Sequence, residues 1–172
     1  GQLWITGAHY RYLNHDCQAA FANCGQICVA IKRLYVHDSM YDAMCEALAE
    51  IARSVKIGDG MDDGVQMGPI QNKMQYDRVK EILEDTRNGG ARILAGGEIP
   101  DGPGYFMTPT IVADIEEGTR LVDEEPFGPI LPILKYTDIE DAIRRANDTR
   151  YGLSGSVWTN DLARGAEVAA RL

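Results

Sequence analysis

The sequence is short of three features, and each shortage excludes a class of protein. It contains no run of about 18 apolar residues, which excludes a transmembrane helix. Its 17 Lys and Arg residues are outnumbered by 26 Asp and Glu, and the net charge of −9 argues against nucleic acids and anionic membranes as partners. Its four cysteines are too unevenly spaced for the disulfide framework of a small secreted domain. Because no basic and apolar leader opens the chain, we expect a reduced, cytoplasmic setting.

What the sequence does contain is typical of a folded domain. Hydrophobic residues make up 45 % of the 172 residues and charged residues 25 %, a balance that argues against intrinsic disorder. Apolar periodicity and capping residues predict helices at 39–56, 71–90, 138–147 and from 160 onward. Short apolar runs predict strands at 33–36, 92–94, 108–115, 130–136 and 155–159. This alternation predicts an α/β fold, with a mostly parallel sheet flanked by helices.

One domain, residues 17–172, follows an N-terminal segment of a different kind. Residues 1–16 fit no clear period, and we expect them to be irregular or foreign to the natural chain. At the other end, the sequence GAEVAARL stops within an amphipathic pattern. We therefore expect a domain that is truncated at both ends, a fragment of a longer protein.

The most informative segment is FANCGQICVAIKRLYV, residues 21–36. Cys28 lies just before an apolar stretch that becomes a strand, and Gly25 would let the backbone come close to a substrate. A nucleophilic cysteine needs partial exposure and a local field that favours the thiolate. Lys32 and Arg33 are near in sequence, but strand alternation prevents both from facing Cys28. On these residues alone, Cys28 is either a nucleophile or a small buried hydrophobe.

The same segment resembles the active-site stretch of the NAD(P)-dependent aldehyde dehydrogenase superfamily, Phe-x-Asn-x-Gly-Gln-x-Cys. This chain carries that pattern in Phe21, Asn23, Gly25, Gln26 and Cys28. A second stretch, EEPFGPILPI, resembles the family's Glu-x-Phe-Gly-Pro motif through Glu125, Phe127, Gly128 and Pro129. Three further stretches are similar to family segments in the same order, and we interpret them as scaffold: MGPI (67–70), GYFMTPTIVADI (104–115) and NDTRYGLSGSVWT (147–159). The resemblance covers about residues 18–172.

The resemblance implies a mechanism and a set of site residues. The Cys28 thiolate would attack an aldehyde to form a thiohemiacetal, whose oxyanion is held by the Cys28 backbone N–H and by an Asn side chain. Hydride would pass to NAD or NADP, leaving a thioester that water hydrolyses with a Glu as general base. Glu125 would accept hydrogen bonds from the nicotinamide-ribose hydroxyls, and Phe127 would pack beside the nicotinamide. The parent enzyme would be a homodimer or homotetramer.

Two of these parts match nothing in the 172 residues. In the family, the general base and the oxyanion Asn lie in motifs upstream of the cysteine, and no G-x-G-x-x-G element follows a strand here. We therefore expect negligible turnover from this chain by itself. The alternatives are a folded domain without catalysis, or a cysteine hydrolase or thiol-redox protein, for which no histidine partner is recognisable.

The remaining cysteines suggest neither a metal site nor catalysis. Cys24 and Cys28 form a C-x₃-C pair, which could close as a reversible disulfide if the two side chains faced each other. No second pair or well-placed histidine completes a zinc site, so we predict no metal. Cys45 falls on the apolar stripe of a helix and is expected in the core. The pattern assigns no role to Cys17.

Overall fold

The structure, a computed structural model, describes residues 2–6 and 18–172. The strands are β1 (Gln2–Thr6), β2 (Arg33–His37), β3 (Arg92–Ala95), β4 (Thr110–Ala113), β5 (Ile130–Tyr136) and β6 (Gly155–Thr159). The helices are α1 (Asp38–Ser54), α2 (Lys73–Asn88), α3 (Arg120–Asp123), α4 (Ile139–Asn147) and α5 (Leu162–Ala169). Residues 18–21 are also helical and continue into a 3₁₀ turn at Ala22–Gly25.

The six strands form one sheet in the order β3-β4-β5-β2-β1-β6. Neighbouring strands are parallel except for the pair of β3 and β4 at one edge, which is antiparallel. The residues of β4 are all buried, and most of those of β2 and β5 are too, as expected for central strands with both faces covered. The predicted α/β fold with a mostly parallel sheet is therefore confirmed.

Strand β1 differs from the irregular segment that we expected at residues 1–16. Its backbone lies between β2 and β6, with Gln2 opposite Arg33 on one side and Gly155 on the other. Five residues are too few to show a period, and an apolar run of this length does not reveal its partners. The remainder of that segment, residues 1 and 7–16, lies outside the described residues, as does Cys17.

The predicted helices are present, and most of their boundaries differ from the predicted ones by one to three residues. Helix α1 is capped by His37, whose Nδ1 accepts a hydrogen bond from the backbone N–H of Ser39 at 3.3 Å, so the helix begins at Asp38. Helix α5 ends at Ala169, whereas the sequence predicted a helix that continues to the last residue. No helix in the described part of the chain is long and apolar enough to cross a membrane.

The sheet brings the two principal motifs to one edge. Strands β2 and β5 are parallel neighbours, with Leu34 opposite Ile133. The loop that carries Cys28 leads into β2, and the loop that carries Glu125 and Phe127 leads into β5. Because the amino ends of neighbouring parallel strands lie at the same edge, the two loops meet there.

Candidate active site

A left-handed turn precedes Cys28. Asn23, Cys24 and Gly25 have φ values of 49°, 60° and 69°, three consecutive residues in a region that non-glycine residues rarely adopt. The Asn23 carbonyl accepts a hydrogen bond from the Gln26 N–H at 3.0 Å, and the Asn23 side chain donates to the Gln26 carbonyl at 3.2 Å. The Cys24 side chain packs in the core, whereas Cys28 is exposed. The turn therefore separates a buried thiol from an accessible one.

The glycines of the two motifs meet backbone to backbone. A Cβ atom on Gly25 would lie 2.7 Å from the carbonyl carbon of Gly128 and closer still to its oxygen. A Cβ atom on Gly128 would in turn lie 2.6 Å from Cγ2 of Val79 on α2. A side chain at Gly25 would force the cysteine loop away from the Phe127 loop, and a side chain at Gly128 would press the Phe127 loop against Val79 of α2.

Helix α2 holds the Phe127 loop through a side chain that the sequence analysis missed. Gln75 Nε2 donates hydrogen bonds to the carbonyls of Pro126 at 2.7 Å and Phe127 at 3.1 Å. Phe127 itself has a φ of 46°, and the amide of Gln75 offsets part of the cost of that conformation. No sequence signal marks Gln75, because its two acceptors lie more than 50 positions further along the chain.

The scaffold motifs connect to the cysteine loop by hydrogen bonds. The Oε1 atom of Gln26 accepts a hydrogen bond from the backbone N–H of Gln71 at 3.0 Å, directly after MGPI. The backbone N–H of Ile70, the last residue of MGPI, donates to the carbonyl of Tyr105 at 2.9 Å. Asn72 then caps α2, its Oδ1 accepting from the Gln75 N–H at 2.9 Å. These contacts agree with the interpretation of the segments at 67–70 and 104–115 as scaffold.

Cys28, Glu125 and Phe127 line one open cleft of about 1400 Å³. Tyr151, from the third scaffold motif, lines it as well. The Glu125 carboxylate makes no hydrogen bond or ion pair with any described residue; its backbone carbonyl accepts one from Arg78 at 3.4 Å. Nor does a described residue accept a hydrogen bond from the Cys28 N–H. The cleft thus offers an accessible thiol, an unpaired carboxylate and an available backbone donor.

Lys32 also lines this cleft, and no motif in the sequence marks it. Its side chain is buried, with Nζ donating a 2.6 Å hydrogen bond to the Gly25 carbonyl and lying 5.3 Å from the centre of the Phe127 ring. Burial lowers the pKa of Lys32 to about 8, against a smaller opposing effect of the charges on Glu125 and Cys28. Arg33, the next residue, also lines the cleft and donates a hydrogen bond to the Ala146 carbonyl at 3.1 Å.

The other described cysteines are buried and disfavour the thiolate. Burial raises the pKa of Cys24 to about 12 and that of Cys45 to about 11. Both side chains belong to the hydrophobic core, and Cys24, Cys28 and Cys45 are all free thiols. Within residues 18–172, no three His, Cys, Asp or Glu side chains converge as metal ligands.

Comparisons with known proteins give one consistent result. The model of the aldehyde dehydrogenase family matches residues 11–172. A mitochondrial aldehyde dehydrogenase of Leishmania tarentolae is 40 % identical over 142 residues, covering 83 % of this chain and 28 % of that protein. A succinate-semialdehyde dehydrogenase of Escherichia coli, whose name specifies NADP(+), is 39 % identical over 144 residues, covering 84 % of this chain and 30 % of that protein.

Solved structures extend the likeness to the fold. The NAD⁺ complex of an aldehyde dehydrogenase from Bacillus cereus superimposes with a TM-score of 0.95 at 36 % identity. The match covers 99 % of this chain and 35 % of that protein. The chain thus spans about a third of the length of the proteins that it matches.

Proposed function

Since the chain belongs to the aldehyde dehydrogenase family, we propose that Cys28 is the nucleophile with which such an enzyme oxidises an aldehyde to a carboxylic acid. The observation that carries this proposal is the shared cleft, in which the exposed thiol of Cys28 lies with Glu125 and Phe127. The direct contact of Gly25 with Gly128 supports it, because it joins the two loops into one unit.

The reaction at Cys28 forms and then breaks one covalent bond. The thiolate sulfur adds to the carbonyl carbon of the aldehyde, and the carbonyl oxygen becomes an oxyanion. The Cys28 N–H, which no described residue engages, is a suitable donor to that oxyanion. Loss of hydride from the former carbonyl carbon leaves a thioester on Cys28. Attack by water then releases the carboxylic acid and regenerates the thiol.

Glu125 and Phe127 fit the nicotinamide end of NAD or NADP. When bound, this cofactor accepts the hydride that leaves the substrate carbon. An unpaired carboxylate can accept hydrogen bonds from two neighbouring ribose hydroxyls, which is the role proposed for Glu125. Phe127, whose carbonyl is held by Gln75, also lines the cleft and supplies an apolar ring surface for the nicotinamide.

Two other functions were open on the sequence, and the site favours neither. A cysteine hydrolase would need a histidine beside Cys28. His37, the one histidine within the described residues, instead caps α1 and lies 3.0 Å from an Asp38 carboxylate oxygen. A folded domain without catalysis does not account for an exposed thiol in a cleft with an unpaired carboxylate. The cytoplasmic location and the dimeric or tetrameric parent stay predictions.

Alkylation of the native chain tests the role of Cys28. Iodoacetamide is added in excess, and peptide mass spectrometry follows each cysteine with time. We expect Cys28 to react at least about tenfold faster than Cys45, since Cys28 is exposed and Cys45 is both buried and disfavoured as a thiolate. A Cys28→Ser variant identifies the fast phase. Equal or slower labelling of Cys28 would contradict the proposal.

A turnover assay tests the expectation that the 172 residues do not act alone. The chain is incubated with NAD or NADP and a panel of aldehydes, and the absorbance of the reduced nicotinamide is followed. We expect negligible reduction, because the general base and the oxyanion Asn of the family match nothing in this sequence. Sustained, aldehyde-dependent reduction that disappears in Cys28→Ser would overturn this expectation while supporting Cys28 as the nucleophile.

A further inference from the structure

Lys32 contacts both loops of the cleft. Its Nζ donates to the Gly25 carbonyl at the end of the left-handed turn, and the same ammonium group lies over the ring of Phe127. The hydrogen bond to Gly25 is charge-assisted, and the contact with Phe127 is a cation–π interaction. Few lysines are this buried, and this one is paired with a neutral carbonyl and a ring rather than bridged to a carboxylate.

Lys32 and Cys28 line the same cleft, so the buried ammonium group places a positive charge beside the loop that carries the thiol. Burial lowers the pKa of Lys32, and the charges on Glu125 and Cys28 oppose that shift. Glu125 is the other charged group that acts on Lys32. Two other cations line the cleft and have partners of their own there, Arg33 in the Ala146 carbonyl and Arg78 in the Glu124 carboxylate at 3.1 Å.

We propose that Lys32 is a positioning residue of this site, whose ammonium group fixes the Gly25 turn against the Phe127 ring and supplies positive charge to the cleft in which Cys28 reacts. The proposal rests on the nucleophilic role of Cys28 proposed above. The proposed role requires the positive charge of Lys32, whereas a lysine with a purely structural role would need only the length of its side chain.

The test is the pH profile of Cys28 alkylation by iodoacetamide, measured from pH 6 to 10 on the 172-residue chain. Lys32→Met removes the charge and keeps the length of the side chain, whereas Lys32→Arg keeps a charge throughout this range. Lys80→Met is the matched control. Lys80 also lies over an aromatic ring, 4.6 Å from the centre of Tyr76, but outside the cleft. Thermal melting verifies that each variant is folded.

We expect Cys28 in Lys32→Met to be alkylated about three- to tenfold more slowly than in the wild type at pH 7, because the Gly25 turn loses its donor and the cleft loses one positive charge. Lys32→Arg and Lys80→Met should stay within about twofold of the wild type. Above about pH 8, wild-type Lys32 loses its proton, so the wild type should approach Lys32→Met while Lys32→Arg stays faster.

Two results would overturn the role of Lys32. One is a folded Lys32→Met with the wild-type profile; the other is a Lys32→Arg that is as slow as Lys32→Met. If Lys32→Met does not fold, the test compares the wild type with Lys32→Arg. Identical alkylation profiles of these two proteins above pH 8 would exclude an effect of the charge and overturn the proposal. Labelling of wild-type Cys28 no faster than Cys45 would instead refute the proposed function, so the two failures are distinguishable.

Discussion

Replacing Gly25 by Ala should separate the two loops that form the cleft. The new methyl group would lie 2.7 Å from the carbonyl carbon of Gly128 and closer to its oxygen, well inside van der Waals contact. Both atoms belong to the backbone and cannot rotate away, so the loops themselves must move. The substitution also places a Cβ atom at a φ of +69°.

Gly90→Ala isolates the effect of the contact from that of the backbone conformation. Gly90 has a φ of +81°, and a Cβ atom there would meet nothing within 4 Å. The left-handed conformation costs a non-glycine residue about 1–2 kcal/mol, partly offset because alanine restricts the unfolded chain. Overpacking adds about 1–3 kcal/mol at Gly25 alone. We therefore expect Gly25→Ala to lower the free energy of unfolding by about 2 kcal/mol more than Gly90→Ala.

Urea denaturation of the two variants measures this difference, and an unchanged dependence of the unfolding free energy on urea would show that the unfolded states are comparable. The rate of Cys28 alkylation should change in Gly25→Ala and not in Gly90→Ala, because Gly25 packs the cysteine loop against Gly128, whereas a Cβ atom on Gly90 would meet nothing within 4 Å. Equal losses of stability in the two variants, with equal alkylation rates, would refute the packing of the loops described above.

Two further predictions concern the support of the cleft. Gln75→Leu should lower the free energy of unfolding, measured by urea denaturation, by about 1–2 kcal/mol, because it leaves the Pro126 and Phe127 carbonyls without their donor. The control is Gln71→Leu, which replaces an exposed side chain and should change this free energy by less than about 0.5 kcal/mol. Similar values for the two variants would contradict the role of Gln75. The free energy of unfolding of the wild type, relative to that of Lys32→Met, should rise by about 1 kcal/mol from pH 8 to 9. In this range Lys32 of the folded chain, with a pKa of about 8, releases its proton, whereas in the unfolded chain, with the ordinary pKa of 10.5, it keeps it. A difference in stability that does not change with pH would argue against burial of the charge.

The part of the candidate site that lies in short sequence motifs could be predicted from the sequence. Cys28, Glu125 and Phe127 each sit in a run of closely spaced residues, and the structure places all three in one cleft. The proposed roles of Gln75 and Lys32 could not be found in this way. Gln75 acts on carbonyls 51 and 52 positions away, and Lys32 acts through the ring of Phe127. Neither contact leaves a local pattern.

By itself, the sequence determined the α/β class and the residues that carry the chemistry, because helical and strand periodicities and active-site motifs are properties of neighbouring residues. Only the tertiary structure decided that β1 lies between β2 and β6, that the loops before β2 and β5 meet, and that Lys32 bonds to the Gly25 carbonyl while Arg33 bonds to the Ala146 carbonyl. These facts depend on strand order and on contacts between distant segments. Such contacts form when the sheet assembles, and local residue preferences do not encode them.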